Sequence, residues 1–95
     1  MIYQKNIDTI TYMEHSTKEN LKEFGKNIRK IRQRSSNSLN EVAFKRGGVT
    51  SATLSRIENG LVDFKFSTLL KLAHTLDVPL LELLKGCDFK YNPDE

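Results

Sequence analysis

The stretch from Thr50 to Gly60 carries side chains whose types and spacing suit the reading of DNA base edges. Arg56 offers a guanidinium that grips guanine O6 and N7 with two hydrogen bonds, and a serine hydroxyl is a weaker, more versatile reader. Leu54 and Ile57 are three residues apart, so a helix buries both on one side and leaves its other positions open. The outward positions are the predicted base-reading residues: Ser51, Ala52, Ser55 and Arg56.

A basic segment precedes this stretch. Residues 18–34 hold seven lysine and arginine side chains against two glutamates, although the net charge of the whole chain is only +3. A basic stripe of this kind attracts phosphate backbones, because binding releases condensed counterions. The same residues would also suit a solvated helix face, and charge alone does not favour either interpretation.

Catalysis and metal binding find no support in the sequence. His15 and His74 lie far apart, and no phosphate-binding loop, nucleophile motif or cysteine–histidine metal spacing occurs. The single cysteine, Cys87, cannot form an internal disulfide, which fits a reducing cytoplasm. We therefore expect no enzyme activity, no metal site and no cofactor, and we expect a cytoplasmic location.

The length and the hydropathy pattern predict one domain outside the membrane. A chain of 95 residues suffices for a single domain with a modest core. No run of about 18 apolar residues occurs, so the sequence predicts no membrane span. A charged start followed by an apolar stretch and a small-residue cleavage site is also missing, so no signal peptide is expected.

Helix signals begin at Ser16. Ser16 and Glu19 have the spacing of a capping box, and four apolar residues then recur at helical intervals: Leu21, Phe24, Ile28 and Ile31. Helix one is thus predicted over 17–34. The segment 1–15 before it keeps no clear period, and we interpret it either as a disordered arm or as a short strand that pairs with a second copy of the chain.

Helix two is short and well delimited. Ser38 and Glu41 form a second capping box that opens it. Gly47-Gly48 end it, because glycine readily takes the positive φ that a tight turn needs. The predicted range is therefore 38–46.

Helix three contains the predicted base-reading residues. Thr50 is a good N-cap and Gly60 is placed to stop the helix, so the predicted range is 50–59. Two short helices joined by a glycine-containing turn are a helix-turn-helix candidate. Ala43 supplies the small residue that helix two needs where helix three crosses it.

The last two predicted helices are rich in leucine. Phe66 before Ser67 has the pattern of a hydrophobic staple and N-cap for helix four, whose buried face is Leu69, Leu72, Ala73 and Leu76. Pro79 is placed to begin helix five, which is expected to end at Gly86 and to bury Leu80, Leu81, Leu83 and Leu84. The predicted fold is all-α, with one five-helix domain over 16–86 and a C-terminal tail over 87–95.

The run from Val49 to Gly60, which includes Ser-Arg-Ile-Glu-Asn-Gly, resembles the recognition-helix signature of the Xre/Cro-type helix-turn-helix family. That family includes phage repressors, restriction-modification controller proteins and many bacterial regulators. The resemblance also takes in helices one, four and five, and it covers residues 21–86. It implies a phage-repressor-like fold, with the short N-terminal arm outside it.

The resemblance implies roles for individual residues. Ser51, Ala52 and Arg56 fall where family members touch base edges, and Ser55 reads a base or bonds a phosphate. Residues expected to contact DNA phosphates are Lys26, Ser38, Asn40, Thr50, Thr53, Asn59 and Lys65. Glu58 is expected to pair with Arg32 on helix one, which removes Arg32 from the DNA-binding residues.

These roles predict a prokaryotic-type transcriptional regulator, a repressor or controller, that binds a palindromic operator in double-stranded DNA. Because one such domain reads only a half-site, a homodimer is expected. The preferred interface is helix five with the tail, through Leu81, Leu84, Phe89 or Tyr91, and the N-terminal arm is the competing interface. The alternative function is that of an antitoxin or adaptor whose main partner is another protein.

The sequence departs from the family in its turn and in its loop. Five residues separate Ala43 from Val49 where the family usually has four, and Gly47-Gly48 would absorb the extra one. Arg46 lies near a position that is usually apolar, so Phe44 would take over that core contact or it would be lost. Two further side chains are expected at the surface: His74 as an exposed residue, and Phe64 as a surface patch unless it packs under the loop or against a partner.

Overall fold

The computed structural model describes residues 15–35 and 38–94, which form four α-helices and one 3-10 helix. The helices are α1 (His15–Arg34), α2 (Leu39–Arg46), α3 (Ser51–Glu58) and α4 (Phe66–Leu76), followed by the 3-10 helix Leu80–Leu83. No strand occurs within these residues, and the all-α fold class is confirmed. The predicted arm lies outside the described residues except for His15, which begins α1.

The apolar stripe of α1 forms one wall of the core. All four predicted positions, Leu21, Phe24, Ile28 and Ile31, are buried. Phe24, Ile28 and Ile31 belong to one core cluster with side chains from every other element, among them Leu54 of α3 and Leu72 of α4. Phe64 from the loop before α4 stacks at a tilt on Phe24, with ring centroids 5.1 Å apart. This contact shows that Phe64 packs under its loop and does not form a surface patch.

Two of the predicted N-caps are present. The backbone N–H of Ser38 donates to Oε1 of Glu41 at 2.9 Å, and the N–H of Glu41 donates to Oγ of Ser38 at 3.2 Å. The first of these bonds lowers the pKa of the Glu41 carboxyl. Oγ1 of Thr50 accepts from the N–H of Thr53 at 3.1 Å. Side-chain capping therefore fixes where α2 and α3 begin.

Two other predicted helix starts are wrong by one or two residues. α1 begins at His15, so Ser16 lies inside its first turn and is not its N-cap. α4 begins at Phe66, so Ser67 also lies inside its helix, and the N-cap Lys65 provides no side-chain bond. Phe66 is exposed and does not act as a staple, because it lies one turn before Leu70 on the outward face of α4.

The predicted fifth α-helix is a 3-10 helix of four residues. In such a helix the side chains of residues i and i+3 eclipse, so Leu80 and Leu83 share one side. Leu83 is fully buried and Leu80 packs against the core, whereas Leu81 is 77% exposed and Leu84 is also exposed. The expectation that all four leucines are buried is therefore wrong for Leu81 and Leu84.

Polar side chains of α1 hold both the 3-10 helix and the tail. Nδ2 of Asn27 donates to the carbonyl oxygen of Leu83 at 2.7 Å, and Arg34 forms an ion pair with Glu82 at 3.1 Å. Closer to the start of α1, Nδ2 of Asn20 donates to the carbonyl oxygen of Lys90 at 2.6 Å, and the backbone N–H of Lys90 donates to Oδ1 of Asn20 at 3.0 Å. The tail is thus docked along α1.

Candidate nucleic-acid interface

Helix α3 presents a polar face opposite its buried side. Leu54 and Ile57 lie in the core, and the exposed residues Ala52 and Arg56 are one turn apart on the outer side. Ser51 and Ser55 flank them and are half-buried. The Arg56 guanidinium makes no hydrogen bond or ion pair within the part of the chain that the structure describes. It is therefore available to an external acceptor.

Other predicted contact residues surround this face. Ser38 and Thr50 lie at the N-terminal ends of α2 and α3, and the hydroxyl of Thr53 is 3.1 Å from that of Thr50. Asn40 on α2, Lys65 at the start of α4 and Lys26 on α1 are exposed. Backbone N–H groups and the positive ends of helix dipoles favour anions at such N-terminal positions.

The basic segment on α1 divides into two chemically different groups. Arg29, Arg32 and Arg34 each bond an acidic side chain of another element, so most of their charge is already balanced within the fold. Lys18, Lys26 and Lys30 make no ion pair among the described residues. Lys18, Lys26 and Lys30 are therefore the side chains of this segment that are most available to a phosphate backbone.

A buried carboxylate joins α3 to α1. Arg32 donates from Nε to Oε2 of Glu58 at 2.5 Å and from its terminal nitrogen to Oε1 at 2.9 Å, as the family resemblance implies. These bonds raise the pKa of the Arg32 guanidinium. Arg29 adds a third contact, from its Nε to Oε1 at 3.2 Å. A charged residue inside α3 thus fixes the position of that helix.

Asn59 is tied into the same network. Its Oδ1 accepts from Arg29 at 3.2 Å, and its Nδ2 donates to the carbonyl oxygen of Ser55 at 2.8 Å. The amide therefore caps the C-terminal end of α3. A phosphate contact would have to use the remaining hydrogen-bonding capacity of this side chain.

The turn between α2 and α3 uses the two predicted glycines. Gly47 and Gly48 have φ values of 72° and 97°, a region that favours glycine.

Arg46 does not reach the core but donates from Nε to the carbonyl oxygen of His74 at 3.0 Å, and Nε2 of His74 lies 3.0 Å from the carbonyl oxygen of Arg46. His74 is exposed, as predicted, and it is also bonded to Arg46. Phe44, which is 92% exposed, does not take over the core contact.

Sequence reasoning missed three residues that position α3. Arg29 lies one turn before Arg32 on α1, and this spacing was the available signal for its contact with Glu58. Gly25 gives α1 its close approach to the end of α3. Thr75 on α4 accepts a hydrogen bond from Val49 in the turn between α2 and α3, and no local sequence pattern predicts this contact.

The described residues contain neither a candidate metal cluster nor a membrane-spanning helix. No group of three or more histidine, cysteine or acidic side chains that could hold a metal ion occurs among residues 15–35 and 38–94. No helix in that part of the chain is long and apolar enough to cross a membrane.

Comparison with known proteins agrees with this geometry. A helix-turn-helix family model matches residues 28–83, more than half of the chain. The chain is similar to the crystal structure of the restriction-modification controller protein C.AhdI from Aeromonas hydrophila, with 29% sequence identity and a TM-score of 0.62. That match covers 68% of this chain and 97% of the controller protein. No curated protein gives a significant match.

The chain therefore belongs to the Xre/Cro-like helix-turn-helix family. It is a DNA-binding transcriptional regulator and not an enzyme.

Proposed function

We propose that this regulator is a repressor or controller that binds a palindromic operator in double-stranded DNA as a homodimer, in the cytoplasm. The observation that carries the proposal is the outer face of α3, where Arg56 has no partner among the described residues. On the opposite side of the helix, Glu58 holds α3 against α1 through its ion pair with Arg32. An arginine available in this way suits bidentate contact with a guanine edge in the major groove. Similarity to a restriction-modification controller protein supports the controller role.

Base reading by Arg56 is tested with the Arg56→Ala variant. Because the bidentate contact to guanine would be lost, this variant should bind the specific duplex about 1–3 kcal/mol more weakly and random DNA almost as well as the wild type. Fluorescence anisotropy on a duplex that the wild-type protein selects from random DNA measures both affinities. Equal losses on the two duplexes would make Arg56 a phosphate contact.

Lys26→Ala is the matched control for that experiment. Lys26 is exposed on α1 and should contact only the backbone. Its loss should weaken binding to all sequences alike and reduce the slope of log affinity against log salt by about 1. The consensus selected from random DNA should also be a palindrome if the operator is one.

The homodimer is proposed because one domain reads only a half-site. Two-fold dimers place their recognition helices about 34 Å apart along one face of the duplex. The surface proposed for self-association lies at the C-terminal end of the chain, where four large apolar side chains are exposed: Leu81, Leu84, Phe89 and Tyr91. Exposed apolar groups of this size gain free energy when a second copy covers them.

Leu81→Glu is expected to convert the dimer to a monomer, because it places a charge in the proposed interface. Light scattering measures the mass of the particle, and Phe44→Glu, which alters an even more exposed apolar side chain on α2, should leave it dimeric. If the Leu81→Glu variant stayed dimeric and a protein lacking residues 1–15 were monomeric, the interface would lie in the N-terminal arm instead.

A further inference from the structure

Residues in the last turn of α4 form hydrogen bonds with the turn that joins α2 to α3. We propose that this contact, made by Thr75 and by the bonds between Arg46 and His74, sets the angle at which α3 meets DNA. Thr75 is thus a positioning residue for sequence recognition. The inference rests on the proposed DNA-binding function, and it assigns that function a determinant outside the helix-turn-helix itself.

The hydroxyl of Thr75 is buried between the two structures it joins. The side chain belongs to α4, and the residue is 1% exposed. Its Oγ1 accepts from the backbone N–H of Val49 at 3.0 Å and is also within hydrogen-bond distance of the carbonyl oxygens of Gly47 and Lys71. Because the hydroxyl has a single proton, the carbonyl oxygens of Gly47 and Lys71 share it, and one side chain thus contacts the turn on both sides of Gly48 as well as its own helix.

Gly48 shows how closely the turn approaches α4. A Cβ added to Gly48 would overlap Oγ1 of Thr75 and would lie 2.8 Å from the carbonyl oxygen of Lys71. A positive φ of 97° independently favours glycine at this position. The turn therefore packs directly against the backbone and side chains of α4.

A second set of bonds holds the end of α2 to the same place. Arg46 donates from Nε to the carbonyl oxygen of His74, and Nε2 of His74 contacts the carbonyl oxygen of Arg46. A terminal nitrogen of Arg46 also lies 3.2 Å from Asp77. We call Thr75, Arg46 and His74 together the turn clamp.

The turn clamp restricts a segment that would otherwise have a wide choice of conformations. Gly47 and Gly48 are consecutive and have the greatest backbone freedom of any residue type. Capping fixes where α2 and α3 begin and end, but it does not set the angle between them. Because α3 must place Ala52 and Arg56 against particular bases, a change of that angle would affect specific binding more than backbone contacts.

The test compares Thr75→Val, which keeps the shape and removes the hydroxyl, with Thr75→Ser, which keeps the hydroxyl. Thr68→Val on the same helix is the control, since the Thr68 hydroxyl has no partner among residues 15–35 and 38–94. The measured quantity is the ratio of affinities for the wild-type-selected duplex and for random DNA, with folding checked by circular dichroism. We expect Thr75→Val to lower the ratio by about tenfold, as for the loss of one good base contact. Thr75→Ser and Thr68→Val should keep it.

A folded Thr75→Val variant with an unchanged ratio would overturn the proposal and leave Thr75 a purely structural residue. If that variant does not fold, Arg46→Gln decides, because the Arg46 side chain is 40% exposed and its loss spares the core. Arg46→Gln must then lower the ratio of specific to random-DNA affinity. An equal loss of both affinities would contradict the proposal. A wild-type protein that prefers no duplex over random DNA would instead refute the proposed function, and this inference with it.

Discussion

Replacing Gly25 with alanine should destabilise the domain by about 3 kcal/mol. The added Cβ would lie 2.5 Å from the carbonyl oxygens of both Ile57 and Glu58, so α1 and α3 would have to move apart. This cost exceeds the gain in helix propensity of about 1 kcal/mol that alanine normally brings over glycine. Urea unfolding followed by circular dichroism measures the loss, as a lower midpoint with an unchanged slope.

Gly86→Ala is the matched control for steric overlap. Gly86 has a positive φ of 80°, but a Cβ there would meet nothing within 4 Å. The left-handed conformation alone should cost about 1–2 kcal/mol. If Gly25→Ala cost no more than Gly86→Ala, the close approach of α1 and α3 would be contradicted.

The parts of the fold that could be predicted from the sequence are those with local causes. The burial of Leu21, Phe24, Ile28 and Ile31 follows from helical periodicity. The capping box at Ser38 follows from side-chain chemistry within four residues. The exposure of Arg56 likewise follows from the burial of Leu54 and Ile57 on the other side of α3.

The last predicted helix is present, but its type and length were predicted wrongly because its conformation depends on distant contacts. Between Pro79 and Gly86 the leucines fit an α-helix and a 3-10 helix equally well by pattern. Asn27, more than fifty positions earlier, bonds the carbonyl oxygens of Glu82 and Leu83, and Arg34 pairs with Glu82. These bonds hold the short 3-10 helix and leave Leu81 exposed.

Long-range contacts also explain what the sequence could not reveal about the candidate site. Thr75 bonds Val49 from 26 positions away, and Arg29 bonds Glu58 across 29. Neither residue type is unusual on a helix surface: no local pattern distinguishes Thr75 before folding, and only its spacing of one turn from Arg32 indicates the contact of Arg29. The base and phosphate contacts of Ser51, Ala52, Ser55 and Arg56 and of their neighbours remain predictions until DNA is bound.

Replacing Glu58 with alanine should cost about 3–5 kcal/mol, the usual effect of removing one partner from a buried ion pair. The Glu58 side chain is 1% exposed and that of Arg32 is 13% exposed, so the Arg32 charge would lose its counter-charge in a place that water reaches poorly. Arg29 is less affected because it is closer to solvent. Since most small domains have a total stability of about 5–15 kcal/mol, this change would remove a large share of it, and urea unfolding would show the loss.

Glu82→Ala is the control, because its pair with Arg34 is more exposed and should contribute less than about 1 kcal/mol. A double variant, Glu58→Ala with Arg32→Met, should recover much of the stability, because it removes the uncompensated charge as well. If Glu58→Ala unfolded no more easily than Glu82→Ala, the carboxylate would not hold α3 against α1. Recovery in the double variant without recovery of specific DNA binding would show that the ion pair orients α3 as well as stabilising it.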